Sequence, residues 1–129
     1  PNLSIPSFME DFSSLLESMM SISASELFIV GDFNLHFELD CPSSNSFRDL
    51  LDAWKLTQHV SFPTHLHSHI LDLVITFKNC TLLSEVTSGG YLTDHSCIII
   101  NLKSPSKQKH SKDLLITVRK LSKINKSSL

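Results

Sequence analysis

The sequence predicts an α/β fold, and within that class about half of an α/β sandwich rather than a doubly wound parallel sheet. Three observations carry this. Two segments repeat their apolar residues at helical spacing, several short apolar segments have strand character, and the strands after the second helix follow one another with little room for helices between them. The elements that remain are too few for a complete two-layer sandwich.

The first helix is marked by Phe8, Phe12, Leu15, Leu16 and Met19, with Glu10, Asp11, Glu17 and serines on the other face. Leu27 to Val30 is short and continuously apolar, which predicts a strand buried on both faces. Phe47, Leu50, Leu51 and Trp54 form a second helical stripe behind a Pro42-Ser43-Ser44 loop, with Asn45 or Ser46 as the expected N-cap. VSFPTHLHSH, from Val60 to His69, is a loop or edge segment, because Pro63 cannot donate to a central ladder. Ile70 to Thr76 is expected to be a buried strand, with Asp72 in its middle. Leu82 to Val86 is a strand leading to a Gly89-Gly90 turn, and Cys97 to Leu102 is another strand. From Ser104 the composition turns to Ser and Lys, the mark of a linker; Leu115, Val118 and Leu121 suggest a short amphipathic helix in it. No internal repeat is visible.

The chain's 129 residues suffice for one modest domain. A hydrophobic content of 41% separates it from disordered chains. No apolar run approaches the roughly 18 residues of a membrane span. The first residues, PNLSIPSF, have no basic region followed by an apolar core and so are not read as a secretory signal. A start at Pro1 without methionine is read as a processed product or a fragment. Cys41, Cys80 and Cys97 form no CxxC pair, so neither a disulfide framework nor a zinc ribbon is implied. Cys80 and Cys97 are expected to be buried thiols, and a reducing, intracellular location (nuclear or cytoplasmic) is expected with them.

The net charge of -2 conceals a division. Lys103, Lys107, Lys109, Lys112, Arg119, Lys120, Lys123 and Lys126 crowd the last stretch beside a single acid, Asp113. Before it stand only Arg48, Lys55 and Lys78 against all the other acids. The acidic body by itself offers a poor electrostatic footprint for nucleic acid. The basic tail is read first as a solvated linker and second as a nucleic-acid arm.

Several polar residues stand where apolar ones would be expected. In LFIVGDFNLH, Asp32 and Asn34 follow an apolar strand, and extended geometry would put both side chains on one face. A carboxylate there can take a proton from water, and an amide can hold a phosphoryl or carbonyl oxygen. The same residues also suit a simple Asx-turn. Asp72 inside ILDLVIT needs a positive or hydrogen-bonding partner, or else a place at a water-facing edge. Asp94 and His95 are neighbours that point oppositely in a strand, so the sensible partner for His95 is Asp72 across strands. His65, His67 and His69 alternate and would share one side of an extended chain; no fourth zinc ligand is evident, and solvated loop histidines are the expectation.

GDFN at Gly31 to Asn34, LDLV at Leu71 to Val74 and TDH at Thr93 to His95 together resemble the endonuclease/exonuclease/phosphatase superfamily in order and approximate spacing. PTHLHSHILDLVIT, from Pro63 to Thr76, narrows the resemblance to the apurinic-type endonuclease domain of non-LTR (LINE-type) retrotransposons. ITVRKLSKIN, from Ile116 to Asn125, resembles the segment that leads from that nuclease towards the reverse transcriptase. The resemblance covers essentially the whole chain. It implies the C-terminal half of a four-layer, DNase I-like α/β/β/α sandwich over residues 1–103, with 104–129 a basic linker towards a reverse transcriptase domain. It also implies hydrolysis of a DNA phosphodiester with Mg²⁺ or Mn²⁺. In that scheme Asp32 orients or deprotonates water, Asn34 binds a nonbridging phosphate oxygen, and His95, oriented by Asp72, stabilises charge building on phosphorus. Asp94 assists at the metal or water, so Asp32 and Asp94 are the metal ligands expected here, and Thr64 and His65 lie near DNA. The family's metal-binding glutamate belongs to an N-terminal half that this sequence does not include. The alternatives are a non-catalytic truncated or domesticated remnant and a phosphatase-like or sphingomyelinase-like member of the superfamily.

Overall fold

Helix α1 spans Ile5–Met20 in the computed structural model, which describes residues 4–22 and 24–104. Ser4 caps it, its hydroxyl accepting the Ser7 N–H at 3.3 Å, and Pro6 sits in the first turn, where no helical donor is lost. Phe12 and Leu16 are buried, with Phe8, Met9 and Met19 packed beside them. Leu15, expected on the same stripe, is 45% exposed.

Helix α2 spans Pro42–Ala53 and begins earlier than the Asn45 or Ser46 expected. Pro42 occupies its first turn and Cys41, in extended conformation, is the N-cap. Ser43 and Ser44 are therefore helical rather than loop, and the buried Ser44 hydroxyl donates to the His36 carbonyl at 2.8 Å. Phe47 and Leu51 are buried; Phe47 meets Phe8, Phe12 and Phe33 at ring separations of 5.4 to 5.9 Å, several of them edge-on or tilted.

The strands are β1 (Phe28–Asp32), β2 (Leu56–Gln58), β3 (Asp72–Phe77), β4 (Leu83–Tyr91) and β5 (Ser96–Leu102). The first three form an antiparallel sheet in the order β1-β3-β2; β4 and β5 form a separate antiparallel pair. The two-residue side-chain period explains β3. Leu73 and Ile75, with Ile29 opposite Ile75, join the core under α1 and α2. Asp72, Val74 and Thr76 point to the other face, in register with Asp32, Val30 and Phe28. Asp72 begins the strand rather than lying in its middle, so its carboxylate is at the sheet end.

Three sequence expectations change here, and one strand is added. β1 is an edge strand, and Val30, on the face away from the helices, is 41% exposed rather than buried. The short, partly polar β2 has no periodicity to reveal it; its neighbour β3 makes it a strand. Gly89-Gly90 is no turn: β4 runs through both, with a register shift between Ser88 and Tyr91. Gly90 takes φ +87°, and a Cβ on Gly89 would lie 3.1 Å from the Ile99 Cδ1. Cys97 is exposed and Cys80 half-buried, so neither is the buried thiol expected. The described residues thus combine helices with antiparallel sheets, an α/β protein in the general sense. None of the described helices is long and apolar enough to cross a membrane. Residues 105–129, with the expected helix at Leu115, Val118 and Leu121, lie outside the described residues.

Candidate active site at the sheet end

The antiparallel register sets Asp32 directly opposite Asp72, at the last residue of β1 and the first of β3. The β4–β5 connection brings His95 to the same place, its Nδ1 2.7 Å from Asp72 Oδ2. One ligand atom from each of Asp32, Asp72 and His95 lies within 4.8 Å of the others. The Asp72–His95 pairing expected across strands is therefore present. The hydrogen bond to Asp72 raises the His95 pKa; burial opposes this, and the charges of Asp72, Asp32 and Asp94 add to the rise. With Nδ1–H given to Asp72, Nε2 is the nitrogen left to meet a ligand.

Asn34 is not on the face of Asp32. The chain leaves the extended conformation after β1, Asn34 has φ +51°, and its N–H donates to Asp32 Oδ1 at 2.8 Å. This is the Asx-turn, which asparagine closes at little steric cost. Asn34 is exposed beside the cluster, within the same turn.

Thr64, expected near DNA, is fully buried. Its hydroxyl accepts the N–H groups of both Leu71 and Asp72 at 3.0 Å, and its carbonyl accepts the Ser96 N–H at 2.8 Å. Thr64 is thus a positioning residue that ties the 59–71 loop, the start of β3 and the start of β5 together. Its β-branched shape and hydroxyl were visible in sequence; the two donors seven and eight residues away were not.

His65 forms a backbone bridge with His95, and their rings meet edge-on at 5.2 Å. Its Nδ1 accepts the His67 N–H at 3.1 Å, while Nε2 lies 3.7 Å from Asp94 Oδ2. The side chain is only 17% exposed, so His65 is not a solvated loop residue. Of the three alternating histidines, His65 and His67 stay together, their rings 5.0 Å apart, and His69 leaves their side. A turn closed by Ser68 N–H to the His65 carbonyl intervenes, and His69 turns away to Glu38.

Asp94 groups with His65 and His95, whereas Asp32 groups with Asp72 and His95; the expected metal pair of Asp32 and Asp94 is not in one cluster. Each cluster mixes imidazole nitrogen with carboxylate oxygen, Asp32 Oδ1 is engaged by Asn34, and Asp72 Oδ2 by His95. Mg²⁺ wants an octahedron of oxygens, so these residues alone do not fit it. A broad open groove lined by Met20, Trp54, Lys55 and Phe77 lies at the opposite end of β3 from Asp72.

Comparisons with protein-family models, with curated proteins and with solved structures found no match.

Proposed function

We propose that this chain is the C-terminal portion of a LINE-type endonuclease domain with a DNase I-like sandwich fold, which in its intact parent hydrolyses DNA phosphodiesters with the help of a divalent metal. The observation that carries the reading is the convergence of Asp32, Asp72 and His95 at one sheet end, with the 2.7 Å Asp72–His95 hydrogen bond. A phosphoryl transition state spreads negative charge over its oxygens and asks for positioned donors more than covalent chemistry. Asp72 holds Nδ1–H, so His95 presents Nε2–H to such an oxygen, and its raised pKa favours the charged donor. Asp32, exposed and beside the pair, is the proton acceptor for water. Asn34 offers its amide to a nonbridging oxygen from the adjoining turn. Asp94, on the His65 side of His95, adds to the field that keeps the imidazole charged.

The uncovered apolar groups support the half-sandwich. Val30 is exposed on the sheet face away from the helices; Ile99 and Leu102 of the two-stranded pair are 42% and 46% exposed. A second layer would cover surface of this kind. Mg²⁺ or Mn²⁺ would need a carboxylate from outside these residues, which agrees with the upstream glutamate that the resemblance implies. The C-terminal neighbour would be a reverse transcriptase domain.

The test is nicking of supercoiled plasmid in Mg²⁺ by the chain extended through its upstream in-frame coding sequence, with EDTA and His95→Ala controls. Nicking should vanish in EDTA, fall about 10²–10³-fold in His95→Ala as expected for a lost transition-state donor, and persist in His67→Ala. Equal losses from the two histidine substitutions, or a folded extended protein without nicking, would contradict the proposal.

A further inference from the structure

A second group of side chains lies outside that site and has no part in it. His36 and His69 stack face to face, ring centroids 3.9 Å apart at 22°, and Glu38 Oε1 lies 2.5 Å from His69 Nδ1. One ligand atom from each of the three falls within 4.8 Å of the others.

The chain builds this group from two distant loops. His36 and Glu38 belong to the segment after β1, where the Phe37 N–H donates to the Ile70 carbonyl at 3.2 Å. His69 immediately precedes Ile70, whose N–H donates to Glu38 Oε2 at 3.0 Å. Glu38 is therefore held from both oxygens, one by backbone and one by His69. Burial pushes its pKa up, but the Ile70 N–H and His69 outweigh this and leave it lowered, so the carboxylate is ionised at neutral pH. Arg48 donates to the Phe37 and Leu39 carbonyls and fixes the loop that carries Glu38. The carboxylate and the His69 ring are pre-positioned, and the exposed His36 is the adjustable member.

We infer that His36, Glu38 and His69 form a binding site for a first-row transition metal ion of the zinc class, separate from the Asp32–Asp72–His95 cluster. Two imidazoles and one carboxylate match the N/O preference of Zn²⁺ and not the all-oxygen preference of Mg²⁺ or Ca²⁺. The ion takes the Nδ1 lone pair of a neutral His69 ring, whose proton then sits on Nε2, and Glu38 Oε1 turns from hydrogen-bond acceptor to ligand. A tilt of the His36 ring supplies the third ligand. Three protein ligands leave a fourth position open to water. Coordination would clamp the post-β1 loop to the segment entering β3. This inference does not depend on the nuclease reading.

The experiment is titration of the full chain with Zn²⁺ by calorimetry, with NMR of the histidine rings. The expected result is a single tight equivalent with shifts at His36 and His69 and none at His65. His36→Ala and Glu38→Gln should each weaken this binding by about tenfold or more, and His65→Ala should leave it unchanged. His36 is exposed, so its alanine variant is the one least able to act through misfolding; circular dichroism checks that it folds. Zn²⁺ binding that survives His36→Ala, that is lost in His65→Ala, or that is absent from folded wild-type protein overturns the inference.

Discussion

Thr64→Val tests how the candidate site is held. The substitution keeps the branched shape of a fully buried side chain and deletes the acceptor for the N–H groups of Leu71 and Asp72. Leu71 is 6% exposed, so its stranded donor carries close to the full penalty of about 1–3 kcal/mol, while the half-buried Asp72 donor recovers part of its loss from water. The sum is about 2–4 kcal/mol, a large share of the roughly 5–15 kcal/mol that stabilises a domain. Thr64→Ser is the comparison: it keeps the acceptor, drops one methyl and should cost only about 1 kcal/mol. Urea unfolding followed by circular dichroism measures both, provided the slope with denaturant is unchanged. A Thr64→Val protein as stable as Thr64→Ser would refute the argument, because the hydroxyl would then hold neither strand entry.

Other consequences follow from the same structure. Glu38 has a lowered folded pKa, so its contribution to stability is present above its unfolded pKa and is lost as pH falls through the folded value; Glu38→Gln should flatten the acid limb of a stability–pH curve in that window. Equal acid limbs for both proteins would contradict this. Gly90→Ala should destabilise by about 1 kcal/mol, because φ +87° is unfavourable for any residue with a Cβ; thermal melts would show it, and an unchanged midpoint would argue against the bulge geometry. Amide exchange should be much faster across β4 and β5 than in β3, since an isolated strand pair is marginal and β3 is flanked on both sides and buried at Leu73 to Thr76. Uniform protection across all five strands would be the contrary result.

The parts of the fold legible in the sequence are those with strong local patterns. The stripe of α1 and the apolar run of β3 depend on spacing within one segment, and spacing is what a sequence displays. The position of β1 was harder, because Leu27 to Val30 reads alike in a central strand and in an edge strand with an uncovered face. β2 was invisible, since Leu56-Thr57-Gln58 becomes a strand only by pairing with β3. Gly89-Gly90 shows the ambiguity of glycine, which serves a turn and a bulge equally well. Within the site, Asp72 in an apolar run called for a partner, and charge chemistry singled out His95. Thr64 was singled out for a place near DNA, but its role as a buried acceptor was not legible, and Glu38, outside the site, was not singled out at all, because both act on groups seven to thirty-two residues away. Asn34 takes the Asx-turn that the local sequence offers rather than the shared extended face with Asp32.

The most direct measurement is an NMR titration of His95 in the chain as it stands, with Asp72→Asn beside it. The hydrogen bond to Asp72, and after it the surrounding carboxylates, should set the His95 pKa above the ordinary histidine value. The stability gained from the pair should accordingly be complete below the unfolded pKa and disappear as pH rises through the folded one. In Asp72→Asn the pKa should fall towards or below the ordinary value. A His95 that titrates at or below that value in the wild-type chain, or identically in both proteins, would contradict the claim that Asp72 holds a charged donor at the sheet end.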